Sequence, residues 1–419
     1  MSNDPVTAPS APVAPTDSSR YSFLPGAPAA PTIVAGDGVF LIADDGRRIL
    51  DAAAGAIVGN IGWGRKEVAQ AAAVAMETGY VVPLWPTPHR LALHDELVEH
   101  WLPAGFNHVF FTSGGSESTD SAIRLARAYQ VAKGRTERWK VIGRHPSYHG
   151  MTTGTMAVAS HDGRQKGYEP LLLPFPKVPW DDAEQVLKVI EQEDPATIAG
   201  FIAEPITGAA GACLTASDEY WQVVTDACRT HDILLIADEV MTGYGRTGLN
   251  FGHQHFPLVP DVIVGGKGLG GGYVPLGAVA AADHVAEVLT GSGFMYFTFT
   301  GNDGACAAAV KVLQIMRDEQ LVQRAATVGA HLGQRLRDEF GQHPAVADIR
   351  GRGMFYGLEL NCSRDAVVQA AMARDMWVYP AGSGPVAEAV MVAPPFIISE
   401  AEIELLVATL RASIDAVHH

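Results

Sequence analysis

Lys267 lies among glycines directly after a short apolar run. The run is Asp261-Val-Ile-Val-Gly265, and the lysine follows in Gly265-Gly-Lys-Gly-Leu-Gly-Gly-Gly272. Because glycine has no side chain, a ligand could approach the amine closely. Partial burial would lower the pKa of the lysine and favour attack of its neutral amine on a carbonyl group. Lys267 is therefore a candidate nucleophile, with a surface lysine on a flexible loop as the alternative.

A segment rich in glycine and hydroxyl groups follows another apolar run, at residues 108–112. It contains Ser113, Gly114, Gly115 and Ser116, and a predicted helix begins there. Backbone N–H groups at a helix start, together with hydroxyls, form a site for an anion, most often a phosphate. The alternative is a serine cap with a glycine turn and no ligand.

An aromatic residue and a carboxylate follow two further apolar runs. Tyr148, with His149 beside it, could present a flat face to a ring, or could be an ordinary packed loop residue. Asp238 ends its run, where a carboxylate is costly to bury unless it is paired. It could bind a protonated ring nitrogen, cap a helix or form an internal ion pair. Taken with Lys267 and the anion site, these features suit a phosphorylated pyridine aldehyde, pyridoxal 5′-phosphate (PLP).

The elements that must position these residues alternate between strands and helices from about residue 105 to 290. The apolar runs are continuous, as expected for strands buried on both faces. The pattern predicts an α/β domain with a mostly parallel, doubly wound sheet, in which ligands bind beyond the carboxyl ends of the strands. The predicted strands are 108–113, 139–143, 198–204, 233–238 and 261–265, and the helices between them include 116–133 and 217–231.

The two ends of the chain are expected to form a smaller α+β unit together. The N-terminal part has a hairpin at 39–50 with its turn at Asp45-Gly46, and neither end alone has much core. The C-terminal part has a long helix from 304 to about 340 that breaks near Glu319, a strand at 351–360, and helices at 363–374 and 400–417. The predicted division is a disordered tail at 1–20, a small-domain segment at 21–75, a large domain at 76–310 and a second small-domain segment at 311–419.

Composition excludes several classes of partner. The chain has 419 residues, of which 47% are hydrophobic and 18% charged, and its net charge is −16. An acidic chain argues against nucleic acid or an anionic membrane as partner. The sequence has no apolar run long enough to span a membrane and no signal peptide, and its four cysteines lack Cys-x-x-Cys spacing. We expect a cytoplasmic protein, and the scattered histidines predict no metal site.

Seven motifs resemble, in order and spacing, those of the class III (ω-type) aminotransferases of PLP fold type I. The resemblance covers residues from about 25 to 415 and implies a seven-stranded large domain plus a smaller domain built from both termini. The motifs are Ser113-Gly-Gly-Ser-Glu117, Tyr148-His-Gly150, Glu204-Pro-Ile206, Asp238-Glu-Val-Met-Thr-Gly-Tyr-Gly-Arg-Thr-Gly248, Gly266-Lys-Gly-Leu269, Thr298-Phe-Thr-Gly-Asn302 and Ala393-Pro-Pro-Phe396.

The resemblance implies roles for the residues at the reacting end of the cofactor. Lys267 would hold the PLP aldehyde covalently and carry the transferred proton, and Asp238 would form an ion pair with the pyridinium. Tyr148 would stack on one face of the ring, with Val240 on the other. Glu204 would lie near the phenolic side of the ring.

The resemblance also implies a phosphate site and a partner. Gly115 and Ser116 would bind the phosphate, with Ser113, Gly114 and His149 also in contact with the cofactor. Thr298 resembles a threonine that reaches the phosphate of the neighbouring subunit. A homodimer with Thr298 contributed in trans is therefore expected.

Three departures from the family pattern concern the substrate pocket and the loop that carries Thr298. Many members carry an arginine for the substrate carboxylate two residues before Ala-Pro-Pro, where this chain has Met391, and a gating glutamate falls at Ala209. Either another cation binds the carboxylate, or one substrate has no carboxylate near its amine. A bulky tryptophan of many members corresponds to Ile57, which suggests a roomier pocket that Trp85 could partly refill. Asp303 replaces a usual proline.

The predicted function is that of a PLP-dependent ω-aminotransferase. It would move an amino group from a primary amine, which could be large or lack an adjacent carboxylate, to a keto acid, aldehyde or ketone. The cofactor would alternate between its pyridoxal and pyridoxamine forms. An aminomutase or epimerase of the same family remains the alternative, because the motifs do not discriminate between them. A PLP-binding regulatory module is not expected, since the sequence shows no added DNA-binding domain.

Overall fold

The computed structural model describes residues 31–77, 79, 85–291 and 297–418. The predicted tail at 1–20 lies outside the described residues. The strands, in chain order, are β1 Ile33–Asp37, β2 Phe40–Ala43, β3 Arg48–Asp51, β4 His108–Thr112, β5 Lys140–His145, β6 Lys177–Pro179, β7 Ile198–Ala203, β8 Leu234–Asp238, β9 Val262–Gly265, β10 Gly277–Ala281, β11 Val346–Arg352, β12 Phe355–Leu360, β13 Met376–Trp377, β14 Tyr379–Ser383 and β15 Val386–Val392.

Helices follow most of these strands. They are α1 Ala54–Ile57, α2 Lys66–Met76, α3 Pro88–His100, α4 Gly115–Ala132, α5 Thr153–Val158, α6 Asp162–Gln165, α7 Ala183–Gln192, α8 Asp218–His231, α9 Asp283–Leu289, α10 Asp303–Asp318, α11 Leu321–Phe340, α12 Arg364–Met372 and α13 Glu400–Asp415. The predicted break in the long C-terminal helix near Glu319 is confirmed, because α10 ends at Asp318 and α11 begins at Leu321.

A seven-stranded sheet forms the centre of the large α/β part. Its strand order is β4-β10-β9-β8-β7-β5-β6. β10 runs antiparallel to both of its neighbours, and the other pairings are parallel. Every residue of β7, β8, β9 and β10 is buried, which explains their continuous apolar sequences. The predicted mostly parallel, doubly wound sheet is confirmed.

Two smaller sheets lie outside the large one. β1, β2 and β3 form an antiparallel meander, and β13 adds to it in parallel next to β3. The N-terminal hairpin therefore pairs with the C-terminal part of the chain, as predicted. β11, β12, β15 and β14 form an antiparallel sheet in that order.

One strand prediction is wrong. The segment 351–360, predicted as a single strand, is the turn and second half of a hairpin between β11 and β12. Gly353 has φ +59°, a left-handed backbone conformation, and a Cβ added there would lie within 3 Å of the Arg246 and Thr247 backbone. A side chain at Gly353 would collide there, so the turn requires glycine.

The predicted division into domains at residues 75 and 310 stays a prediction. Residue 310 lies inside α10, and this helix packs against α2 and α3. No helix among the described residues is both long and apolar enough to cross a membrane.

Candidate active site

Five strand ends of the large sheet meet at one cavity. The cavity has a volume of about 240 Å³. It is lined by Gly115 and Ser116 after β4, Tyr148, His149 and Gly150 after β5, Glu204 after β7, Asp238, Val240 and Met241 at and after β8, and Lys267 after β9. The parallel sheet thus brings residues that are far apart in sequence to its carboxyl edge.

Lys267 presents its amine to this cavity from a constrained backbone. Its φ is +44°, in the left-handed region, directly after β9. Burial lowers the pKa of its amine from 10.5 to about 8, although Asp238 and Glu204 oppose the shift. Neighbouring Gly266 allows β9 to approach the start of α4, because an added Cβ would lie 3.3 Å from the Gly115 Cα. The neutral, nucleophilic form of the amine is therefore populated near neutral pH.

Asp238 is a buried carboxylate with two fixed partners. Its Oδ2 lies 2.7 Å from His149 Nδ1, and its Oδ1 accepts the Val240 N–H at 3.1 Å. His149 is itself 3% exposed, and its Nε2 has no hydrogen-bond partner among the described residues. The carboxylate is held in one orientation and retains lone pairs for a further donor. Such an acceptor suits a protonated ring nitrogen.

The start of α4 lines the same cavity as Asp238 and has the features that an anion requires. The first N–H groups of a helix have no partner within the helix, and its dipole favours negative charge there. Ser116 Oγ accepts the Met151 N–H at 3.2 Å, which ties the helix start to the loop after β5. At Gly150 an added Cβ would come within 2.9 Å of the Ser116 Cα, so the two segments require a glycine at this position. Ser113 and Gly114 precede the helix and lie outside the cavity lining.

Glu204 holds the loop that carries Tyr148. Its Oε1 accepts the Tyr148 N–H at 3.0 Å and its Oε2 accepts the Gly208 N–H at 2.8 Å. Burial raises the pKa of the Glu204 carboxyl above its usual range. Burial also raises the pKa of the Tyr148 phenol, so this ring remains neutral in the cavity wall.

The residues of the cavity fit PLP. A helix start with glycines at its closest contacts, a carboxylate with spare acceptor capacity, an aromatic ring and an amine with a lowered pKa all line one cavity. These are the donor and acceptor types that a phosphate, a pyridinium and an aldehyde require. The described residues contain no cluster of three or more His, Cys, Asp or Glu that could hold a metal ion.

Three of the four predicted substrate-pocket residues come together. Ile57, Ala209 and Met391 are each no more than 4% exposed and share one apolar cluster with Met241, against which Tyr148 packs. Ile57 has φ +63°, which is unusual for a β-branched residue, so its backbone is strained beside the site. Trp85 is 64% exposed and lies outside this cluster and the cavity lining of its own chain.

The loop that carries Thr298 is anchored by the unusual Asp303. Thr298 is exposed and lies outside the cavity lining of its own chain. Asp303 is the first residue of α10, a position where proline and acidic residues are both favourable. Its Oδ1 accepts the Thr87 hydroxyl at 2.5 Å and lies 3.6 Å from Arg90 Nε, and that nitrogen also donates to Gly301 O.

Replacing Asp303 with alanine is expected to lower the free energy of unfolding by about 1–3 kcal/mol, because a buried hydroxyl and a nearby guanidinium lose their acceptor. Urea unfolding followed by circular dichroism measures the change, with the exposed Asp318→Ala as control. Asp303→Asn keeps an acceptor oxygen and should lose less. An unchanged midpoint for Asp303→Ala would show that the Thr87 contact does not contribute to stability.

Sequence reasoning missed two features of the site. Met241 lines the cavity, and a Cβ added at Gly208 would lie 2.3 Å from its sulfur; its only sequence signal is its place after Asp238. Arg164 lies in none of the motifs, yet its guanidinium carbon lies 4.6 Å from the centre of the Tyr148 ring. It is separated from Tyr148 by sixteen positions of mixed loop and short helix, so no periodic pattern marks it.

The fold and this cavity define an α/β enzyme with a PLP-type site, and comparison with known proteins gives its family. The family model for class III aminotransferases matches residues 26–414. The uncharacterized aminotransferase YhxA of Bacillus subtilis is 35% identical over 95% of each chain. The putrescine–pyruvate aminotransferase of Pseudomonas aeruginosa is 33% identical over 91% of this chain and 90% of its own.

Solved structures of aminotransferases support the same family. An aminotransferase of Bacillus anthracis superposes with a TM-score of 0.90 at 32% identity, covering 95% of this chain and 97% of its own. The omega transaminase of Pseudomonas jessenii in complex with PMP superposes with a TM-score of 0.85 at 28% identity, covering 92% of each chain. The chain belongs to the class III aminotransferases. It is a PLP-dependent enzyme of fold type I, and its substrates are small molecules.

Capture of PLP by the apoprotein is expected to depend on pH through the Lys267 amine. Only the neutral amine attacks an aldehyde, so the capture rate should rise with pH and level off above about 8 rather than above 10.5. Between these two values the unfolded chain binds the proton more tightly than the folded protein, so this group makes apoprotein stability rise with pH. Growth of the visible absorbance band after mixing with PLP measures the rate. A pH profile with its midpoint near the pKa of an ordinary lysine would contradict the assignment of Lys267 as the capturing amine.

Proposed function

We propose that this chain is an ω-type aminotransferase that takes an amino group from a primary amine without an adjacent carboxylate and gives it to a keto acid, aldehyde or ketone. The proposal rests on the residue at position 391, which is a methionine and not an arginine. It occupies the position of the usual carboxylate-binding arginine, and it is fully buried with Ile57 and Ala209 in an apolar cluster. The side chains of this cluster carry no charge, so they suit an apolar substituent rather than a carboxylate.

Each lining residue has a role in this proposal. When bound, PLP supplies the electron sink that stabilises negative charge on the substrate carbon. Lys267 would hold the aldehyde and move the proton at that carbon, and Asp238 would hold the ring nitrogen in its protonated form, with His149 orienting the carboxylate. The start of α4 at Gly115 and Ser116, after Ser113 and Gly114, holds the phosphate.

The two faces of the ring are held by different segments. Tyr148 would contact one face of the ring and Val240 the other, and Glu204 fixes the Tyr148 loop by accepting the Tyr148 N–H. A Cβ at Gly115 would lie 2.8 Å from a Val240 methyl group, so Val240 lies close to the phosphate end of the site.

The relatives favour a terminal amine as donor. The Pseudomonas aeruginosa relative is named for putrescine, a diamine, and pyruvate, and the Pseudomonas jessenii protein is an omega transaminase. We further propose a cytoplasmic homodimer in which Thr298 completes the phosphate site of the partner. The exposed position of Thr298, outside the cavity of its own chain, supports that arrangement.

The test follows the visible absorbance of the PLP-loaded protein while amines are added one at a time, without an acceptor. The panel contains alanine, glutamate, arylalkylamines, diamines and amino sugars. Bleaching by carboxylate-free amines, and recovery of the band on adding pyruvate or an aldehyde, is the expected result. Bleaching only by alanine or glutamate would contradict the proposed donor class. Multiple turnovers without any acceptor would instead indicate an aminomutase or epimerase.

A further inference from the structure

Arg164 is a cation beside the cavity that has no carboxylate partner among the described residues. Its guanidinium carbon lies 4.6 Å from the centre of the Tyr148 ring, and one terminal nitrogen lies 4.0 Å from the sulfur of Met151. Tyr148 lines the cavity, and Met151 follows the lining residue Gly150. Guanidinium has five N–H donors, so most of its hydrogen-bonding capacity remains open.

The backbone that carries Arg164 is fixed from both sides. The Asp162 N–H donates to Ser383 Oγ of β14 at 3.0 Å, which ties α6 to the small antiparallel sheet. Gln165 accepts the His161 N–H at 3.0 Å and donates through its amide to the Met156 carbonyl at 2.8 Å. The Tyr148 ring then restrains the guanidinium by a cation–π contact. Arg164 is therefore held in place before any substrate binds.

The other arginines near the cavity are engaged elsewhere. Arg144 donates to Glu204 O at 2.6 Å and to Thr207 Oγ1 at 2.9 Å. Arg246 is buried and donates to the carbonyls of Ala393 and Pro394. Among the described residues, these two guanidinium groups serve the fold and are not open to a ligand.

Arg352 and Arg350 also contact groups other than the cavity lining. Arg352 lies 5.2 Å from the Phe256 ring centre, away from the cavity lining. Arg350 pairs with Asp348 at 2.7 Å and with Glu359 at 2.8 Å.

Arg164 is also one of the charges that oppose protonation of Lys267, so its field reaches the reacting amine. A negative group on a substrate held at Lys267 would experience the same field.

We propose that Arg164 binds the carboxylate of a keto acid acceptor. This inference rests on the proposed function and adds the acceptor class to it: a carboxylate-free amine in one half-reaction and a carboxylate-bearing carbonyl compound in the other. The planar guanidinium binds a carboxylate through two parallel N–H···O bonds. Arg164 lies beside Tyr148, so the carboxylate would bind there. The apolar substituent of the amine would bind at the apolar cluster that contains Met391.

The experiment compares acceptors with and without a carboxylate in PLP-loaded enzyme and variants. The acceptors are pyruvate, 4-oxobutanoate and propanal, with one carboxylate-free amine donor in excess. Arg164→Gln should raise the KM of one or both carboxylate acceptors by about 10- to 100-fold, with little change in kcat. The KM of propanal should stay within about threefold. Arg164→Lys should retain part of the affinity, and Lys166→Gln, on the same turn, should behave as wild type.

A second readout needs no turnover. Butyrate should bind the PLP-loaded wild-type protein in a calorimetric titration without amine or acceptor, and should lose this binding in Arg164→Gln, and the visible PLP band confirms that the variant is loaded. An equal rise in KM for all three acceptors would show that Arg164 only orients Tyr148, and would overturn the inference. Wild-type turnover of propanal without turnover of either keto acid would overturn it as well. Failure of every amine to bleach the band would instead overturn the proposed function.

Discussion

Replacing Lys267 with alanine is expected to lower the rate of amino transfer by at least about 10³-fold, because the same amine serves as nucleophile and as proton carrier. The fold should persist, since Lys267 forms no ion pair among the described residues and its burial is itself unfavourable for the charged form. The visible band of bound PLP should disappear while the circular dichroism spectrum is retained. Single-turnover mixing with a donor amine measures the remaining rate.

Lys177 provides a matched control for Lys267. Burial also lowers the pKa of its amine to about 8, but its Nζ donates to the carbonyls of Ala157 at 2.6 Å and Phe175 at 2.9 Å, outside the cavity lining. Lys177→Met should lower stability and leave the visible band in place. If Lys177→Met lost the band and Lys267→Ala kept full activity, the assignment of the reactive lysine would be wrong.

Replacing Asp238 with asparagine is expected to lower the half-reaction rate by about 10²- to 10³-fold. Asparagine is nearly the same size and can still contact His149 and the Val240 N–H, but it carries no negative charge to hold the ring nitrogen protonated. The effect should therefore appear in the rate per PLP-loaded site more than in the amount of PLP bound. Stopped-flow absorbance with a saturating donor amine separates the two quantities.

The neighbouring Glu239 tests whether any buried carboxylate would give this effect. Its oxygens accept the Gly252 N–H at 2.8 Å and the His253 N–H at 2.7 Å, and the Thr242 hydroxyl also donates to it. Glu239→Gln should lower the thermal midpoint and leave the rate per loaded site unchanged. Equal loss of rate in both variants would mean that Asp238 acts through the fold rather than through the cofactor.

Much of the cavity was predictable because strand ends carry a strong local signal. The continuous apolar runs that end at Ala203, Asp238 and Gly265 mark buried parallel strands, and such strands bring their carboxyl ends to one edge of the sheet. The run that ends at Thr112 is an edge strand paired with the antiparallel β10, and it therefore runs in the same direction as β9. Polar residues directly after these runs must therefore lie near one another. This argument requires only local patterns and a general rule of α/β folds.

The remaining features depend on contacts that local patterns do not encode. The hairpin turn at Gly353 follows from its close contact with the backbone at Arg246 and Thr247, which are about a hundred positions away. The pairing of His149 with Asp238 joins two different strand ends. The position of Arg164 depends on a hydrogen bond from Asp162 to Ser383 of the small sheet. Each depends on how separate elements pack, which one sequence does not specify by spacing.

Chemical mapping of the bound cofactor tests the central claim most directly. Treating the PLP-loaded protein with borohydride makes the linkage between the amine and the aldehyde permanent, and mass spectrometry of the digested protein then identifies the modified residue. The account predicts one modified peptide, with the pyridoxyl group on Lys267. Modification of Lys177 or another lysine in place of Lys267, or a protein that takes up no PLP, would contradict it.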